Sequence, residues 1–195
     1  VTACRSHAAL QAAYPRTFRP QAAQGAWPAI VRALEERKGD VYREEDRVLY
    51  WLELGTALHY AGEYKASSKA FFSAETEMQE LYTKSISEEV GRFVATETVQ
   101  TYAGEAYERL LTYLYTAMNA AQQGRIEDAL VEIRRADAFL KRLRVQADKE
   151  GEAKPLYRQD AFMLWWVGLF LEIEGSYADA YLAYKASFQV YDNVY

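Results

Sequence analysis

The chain is poor in residues that cross-link or interrupt helices. Its 195 residues include one Cys, four Pro and ten Gly. One cysteine cannot form an internal disulfide. The scarcity of Pro and Gly, together with many Ala, Leu and Glu residues, favours helix over strand. No alternating apolar and polar run of strand length occurs, so the sequence predicts an all-α fold.

Strong positive charge and long apolar runs are also lacking. The formal net charge is −5, which argues against a nucleic-acid-binding protein, because that function needs a basic patch. No run of about 18 apolar residues predicts a membrane-spanning helix. The most apolar segment, AFMLWWVGLFLEIEG, carries acidic residues and predicts a buried helix. Aromatic residues are plentiful instead, with 16 Tyr, 8 Phe and 4 Trp.

The side-chain patterns of enzymes are missing. The two histidines, His7 and His59, are far apart in the chain, and no HExxH, CxxC or glycine-rich phosphate loop occurs. Serine and cysteine nucleophile motifs are absent as well. The carboxylates fall mostly at solvated helix positions. The sequence therefore predicts a protein that is not an enzyme and holds neither a metal nor a cofactor.

Three glycines mark a recurring pattern. Gly62, Gly124 and Gly175 each end a predicted helix. Small residues precede them by seven positions and bulky residues follow them by nine: Gly55, Ala117 and Gly168, then Phe71, Ile133 and Tyr184. Small residues allow two antiparallel helices to approach closely, and a turn glycine supplies backbone freedom. The pattern predicts hairpins at about 43–92, 104–149 and 155–193, within a helical domain over 26–195.

This pattern resembles the tetratricopeptide repeat. The best copy is WLELGTALHYAGEYKASSKAFFSAE, residues 51–75. The resemblance implies antiparallel helical hairpins stacked as a right-handed superhelix. Two departures predict long or interrupted connections: the turn glycines lie 62 and 51 residues apart rather than about 34, and the proline that ends each repeat is missing.

The N-terminal residues Val1-Thr2-Ala3-Cys4 resemble the lipobox of bacterial lipoproteins. This resemblance implies lipidation of Cys4, and the alternative is a stray N-terminal cysteine. Pro15 and Pro20 predict irregular backbone, so residues 1–25 are interpreted as a lipobox remnant followed by a tether.

A narrower resemblance concerns the segments HYAGEY, LYTKSIS, YAGEAYERLL and EDALVEIRRAD. They are similar to a family of uncharacterised bacterial tetratricopeptide-like lipoproteins. The family resemblance implies a lipid anchor and a place in an assembly of envelope proteins. Arg5 after the cysteine, where aspartate commonly retains lipoproteins at the inner membrane, favours the periplasmic face of the outer membrane.

In tetratricopeptide folds the first helix of each hairpin lines a concave groove. The resemblance therefore implies groove positions in all three copies. The predicted partner-binding residues are His59, Tyr60, Tyr115, Asn119, Gln122, Trp165 and Trp166, flanked by Glu53, Thr56, Met118, Leu169 and Glu172. Tyr and Trp are enriched at interaction hot spots. For the two tryptophans the alternative is core packing.

A polar set lies around the second hairpin. Its members are Lys84, Tyr102, Glu105, Glu108, Arg134 and Arg135. They are interpreted either as a polar pocket for a small ligand or peptide, or as an ion-paired brace. Taken together, the sequence predicts a non-catalytic interaction scaffold of the bacterial envelope. The alternative is a periplasmic ligand-binding or enzyme-accessory domain.

Overall fold

The computed structural model describes residues 18–39, 41–89, 101–150 and 160–194. Every regular element in these residues is helical, which confirms the all-α prediction. The α-helices are α1 Arg19–Ala23, α2 Trp27–Arg37, α3 Arg47–Tyr60, α4 Tyr64–Glu89, α5 Ala106–Gln122, α6 Ile126–Glu150, α7 Ala161–Glu174 and α8 Tyr177–Val194. A 3-10 turn, Glu44–Asp46, precedes α3. Among the described helices, none has the length and apolarity to cross a membrane.

The chain divides into two compact units, Val1–Gly104 and Glu105–Tyr195. In the first unit α2 packs on α3, and α3 packs on α4. In the second unit α5 packs on α6, α6 on α7 and α7 on α8, with a smaller contact between α5 and α7. Most helices therefore contact the helix that precedes or follows them in the sequence.

The three predicted turn glycines adopt the same left-handed conformation. The φ angles of Gly62, Gly124 and Gly175 are 81°, 73° and 88°. After each glycine, the next amide donates a hydrogen bond of 2.9 Å to the carbonyl oxygen four residues before the glycine. This bond satisfies a carbonyl left free at the helix end. The three α-helical hairpins thus share one turn, as the recurring offsets predict.

A fourth turn of this kind occurs at Gly25, where the sequence predicts a tether. Its φ angle is 70°, and the Ala26 amide donates to the Gln21 carbonyl at 2.9 Å. Phe18 stands seven residues before this glycine and Leu34 nine after it, and both are buried. The predicted tether is therefore wrong over residues 18–25, which belong to a helical turn packed into the first unit.

The core of the first unit explains the glycine inside α3. A Cβ atom on Gly55 would lie 2.9 Å from the ring of Phe71 on α4, closer than side chains pack. The buried Ser67 hydroxyl donates to the Gly55 carbonyl at 2.8 Å. The glycine lets α3 and α4 approach closely enough for both contacts. The other core residues are Phe18, Ile30, Leu34, Tyr50, Leu54, Ala57, Leu58 and Ala70.

The second unit repeats this relation between a small residue and a bulky one. A Cβ atom on Gly168 of α7 would lie 2.6 Å from the ring of Tyr184 on α8. In the α5–α6 hairpin the equivalent residues are Ala117 and Ile133, both fully buried. Where the bulky partner is an aromatic ring the small residue is glycine, and where it is isoleucine an alanine fits. The size of each residue is thus matched to its partner across the hairpin.

Candidate partner-binding surface

Helix α7 is apolar on nearly all sides, but α6 and α8 cover only part of its circumference. Asp160 caps its N-terminus by accepting a hydrogen bond from the Met163 amide at 3.0 Å. One side of the helix is buried in the core of the second unit through Leu164, Val167 and Phe170. The opposite side leaves large apolar side chains in solvent: Phe162 is 47%, Trp165 44% and Ile173 53% exposed. A helix that is apolar all round is normally buried.

The aromatic rings on this exposed side contact one another. The ring centroids of Trp165 and Trp166 lie 5.3 Å apart, edge to face. Trp166 also contacts Phe162 and Phe170, each at a centroid distance of 6.1 Å. Trp166 is partly buried against the core, and its indole N–H is buried with no hydrogen-bond acceptor in the described residues. Of the two tryptophans, Trp165 therefore faces solvent, whereas Trp166 packs against the core.

Helix α5 of the same unit also carries predicted partner-binding residues, and one of these predictions is wrong. Tyr115 and Met118 are partly exposed and Gln122 is exposed, so the three can be reached by a partner. Asn119 is 0% exposed, and its prediction as a partner-binding residue is wrong. Asn119 lies five residues before its turn glycine, and the residues at the same position in the other two hairpins, Ala57 and Phe170, are buried as well.

In the first unit, the predicted groove residues are held by aromatic packing. Tyr60 is half exposed, and its ring stacks on Trp27 of α2 at a centroid distance of 4.6 Å. His59 contacts the edges of the Tyr60 and Tyr64 rings, at 5.1 and 5.8 Å. The sequence prediction missed Trp27. It stands two residues after Gly25, the position that Tyr64 takes after Gly62, which is a signal the sequence contains.

The described members of the predicted polar set do not meet in one place. Glu105 and Glu108 form a capping box at the start of α5, in which the Glu105 amide donates to Glu108 at 2.8 Å. Such a box satisfies free amides at a helix N-terminus. The Tyr102 amide donates to the Glu45 carbonyl at 3.0 Å in the first unit.

The two arginines of that set, both on α6, each form an ion pair with a glutamate, one on α7 and one on α6 itself. Arg134 pairs at 2.5 Å with Glu174 of α7 rather than with Glu105 or Glu108 of its own predicted set. Arg135 pairs with Glu132 at 2.8 Å and lies over the Tyr113 ring at 4.9 Å. Lys84 lies on α4, but its side chain is outside the described residues, as is Cys4 altogether.

Glu53, predicted at the edge of the groove, is a partly buried carboxyl group. Burial raises its pKa from 4.5 to about 7. The hydroxyl of Tyr42 donates a hydrogen bond to Glu53 and lowers the pKa, whereas the charge of Asp46 raises it. The group is therefore protonated in the folded protein at pH values where it is ionised in the unfolded chain.

Replacing Glu53 with Gln should change how stability depends on pH. Because the folded state holds the proton more tightly, the free energy of unfolding falls as pH rises between 4.5 and about 7. Each unit of pKa difference corresponds to about 1.4 kcal/mol. We expect Glu53→Gln to be about 3 kcal/mol more stable than the parent at pH 8 and equal to it at pH 4. Urea unfolding at both pH values tests this, and a difference independent of pH would contradict it.

A metal site is the first alternative to a partner-binding surface. In the described ranges, no three His, Cys, Asp or Glu side chains converge in a way that would hold a metal ion. No protein-family model matches the chain, and no curated protein matches it significantly. The exposed side of α7, with Phe162, Trp165 and Ile173, is therefore the candidate partner-binding surface.

Proposed function

We propose that this protein is a non-catalytic scaffold that binds other proteins through the first helices of its hairpins. The carrying observation is the exposed aromatic side of α7, at Phe162, Trp165 and Ile173. Contiguous apolar surface of this kind marks interaction sites in soluble proteins. Tyr115 and Gln122 of α5, which contacts α7, extend the proposed binding surface.

The aromatic side of α7 has the character of a binding hot spot. Hot spots combine a large rigid aromatic group with a well-packed base. Trp165 is 44% exposed, and behind it Trp166 packs against Phe170 of the core. Because its neighbours already hold the ring of Trp165, little conformational entropy would be lost on binding.

The proposal includes the arrangement of the hairpins and their place in the cell. We propose that they stack as a tetratricopeptide-like right-handed superhelix, and the four turns with the same hydrogen bonds support this. The lipobox-like Val1-Thr2-Ala3-Cys4 supports a lipid anchor at Cys4 on the periplasmic face of a bacterial outer membrane. The partners would then be other proteins of an envelope assembly.

The anchor has a direct test. Acylation of Cys4 should add the mass of a lipid to the N-terminal peptide, and Cys4→Ser should move the protein from the membrane fraction to the soluble fraction. An unmodified peptide together with unchanged fractionation would contradict the anchor.

The binding surface is tested by truncating its most exposed tryptophan. We expect Trp165→Ala to weaken partner capture by roughly 1–3 kcal/mol with little change in helicity, because the removed ring is half in solvent. Photo-crosslinking from position 165 should trap the same partner. Phe72→Ala is the matched control, since Phe72 is 66% exposed on α4 of the other unit, and Lys141→Ala on α6 is a second control. Loss of capture with the controls but not with Trp165→Ala would refute the assignment.

A further inference from the structure

Helix α8 presents an aromatic surface of its own. Its large residues repeat at alternating spacings of four and three: Tyr177, Tyr181, Tyr184, Phe188 and Tyr191. This is the a/d spacing of a coiled-coil seam. Tyr177, Tyr181 and Phe188 are 71%, 64% and 69% exposed. We call these five residues the α8 seam.

The α5–α6 hairpin shows what packs against residues at these positions. Counted from the turn glycine, Tyr177, Tyr181 and Tyr191 of α8 correspond to Ile126, Leu130 and Leu140 of α6. Leu130 and Leu140 are buried, Ile126 packs on the same core cluster, and α6 is covered by the following helix, α7. The equivalent positions on α8 are in solvent. At Tyr177, Tyr181 and Tyr191 the α8 seam is therefore in the register of a surface that takes a helix, whereas Phe188 corresponds to the partly buried Asp137.

We propose that this helix is α8 of a second copy of the chain, lying antiparallel. In such a pair Phe188 of each copy lies against Tyr184 of the other, and Tyr181 against Tyr191. The spacing of the seam reads nearly the same in both directions, as a two-fold interface requires. The surface is thus self-complementary in shape and residue type.

Charge supports the same partner. Lys185 and Asp192 are exposed and flank the seam on one side, seven residues apart. Antiparallel pairing brings Lys185 of one copy toward Asp192 of the other, and the two-fold axis makes this contact twice. Flanking charges of this kind set the orientation and partner of paired helices. An unrelated helix would need to supply both matching charges.

The seam is large enough for a weak dimer. A buried aromatic side chain contributes about 150–250 Å², and roughly half of that area is available on most seam residues. Ten rings from two copies then bury on the order of 1,000 Å². Specific interfaces begin near 1,200 Å² in total, so neighbouring residues need to add little. We therefore expect reversible, concentration-dependent dimerisation.

Sedimentation equilibrium of the 195-residue chain tests the proposal. The parent should dimerise, and Phe188→Glu should weaken the dimer by roughly thirtyfold or more, as loss of a hot spot does. Its circular dichroism should stay unchanged, because the ring is 69% exposed. Phe72→Glu, which places the same charge on another exposed ring, should leave the dimer intact.

A charge exchange identifies the partner. Lys185→Asp should weaken the dimer, and Lys185→Asp combined with Asp192→Lys should restore it, because the exchanged charges meet again across the two-fold axis. A parent that stays monomeric at every concentration would overturn the proposal and leave the seam to a helix of another protein. A dimer that tolerates Phe188→Glu would overturn it too, by placing the interface elsewhere. Neither result bears on the α7 surface.

Discussion

Gly168→Leu should lower the free energy of unfolding of the second unit by about 3 kcal/mol, since overpacking of this kind costs 1–3 kcal/mol and occasionally more. Even a Cβ atom at this position would lie 2.6 Å from the Tyr184 ring, and leucine adds three more carbon atoms. The intrinsic helix propensity of leucine returns less than 1 kcal/mol. For a unit of this size the melting temperature should fall by roughly 10–20 °C, which calorimetry measures.

Two further variants show whether the close approach is the cause. Gly39→Leu is the control, because a Cβ atom at Gly39 would meet nothing within 4 Å, and it should leave the melting temperature nearly unchanged. Gly168→Ala should be destabilising alone, but less so in combination with Tyr184→Ile, which reproduces the Ala117 and Ile133 pair of the α5–α6 hairpin. The double-mutant cycle should give a favourable coupling energy. Additive effects would show that the two residues do not limit each other's size.

Phe18→Ala should destabilise the first unit by about 3 kcal/mol, the lower end for removing a buried phenylalanine ring. Phe18 is 5% exposed and packs in the core with Ile30 and Leu34. The guanidinium group of Arg37 also lies 5.8 Å from its ring centroid. Hydrogen exchange should show faster amide exchange in α2 and α3 of the variant.

The matched control for Phe18 is Phe72→Ala, the same truncation at a ring that is 66% exposed. Surface changes of this kind usually stay within about 0.5 kcal/mol. If Phe18→Ala were as harmless as Phe72→Ala, residues 18–25 would behave as the tether that the sequence predicts.

The sequence was sufficient for the all-α class and for the hairpin turns, because glycine at a left-handed position is a local requirement. The turn at Gly25 was missed although Trp27 and Leu34 stand at the shared offsets. Pro20 predicts irregular backbone, yet it occupies one of the first two positions of α1, where a missing amide hydrogen costs nothing. Whether a proline interrupts a helix or begins one depends on its position in that helix. Composition does not reveal that position.

The candidate site was less predictable, because the offsets identified the first helices but were not used to separate their buried positions from their exposed ones. Asn119 stands five residues before its turn glycine, a position that is also buried in the other two hairpins, at Ala57 and Phe170. The sequence also did not predict the ion pair between α6 and α7. Arg134 and Glu174 are 40 residues apart, and no local pattern links them. The sequence pattern identifies the helices that form the surface but not every residue that reaches it.

The packing of helices mainly on their sequence neighbours has a consequence for how the chain folds. Loop-closure entropy is small when contacting segments lie close together along the chain, and folding rates rise as the mean sequence separation of contacts falls. A helix in either unit can therefore find its main partner as soon as the next few dozen residues are available. During synthesis the first unit can gain its core before the second has left the ribosome, because domains fold in order from the N-terminus.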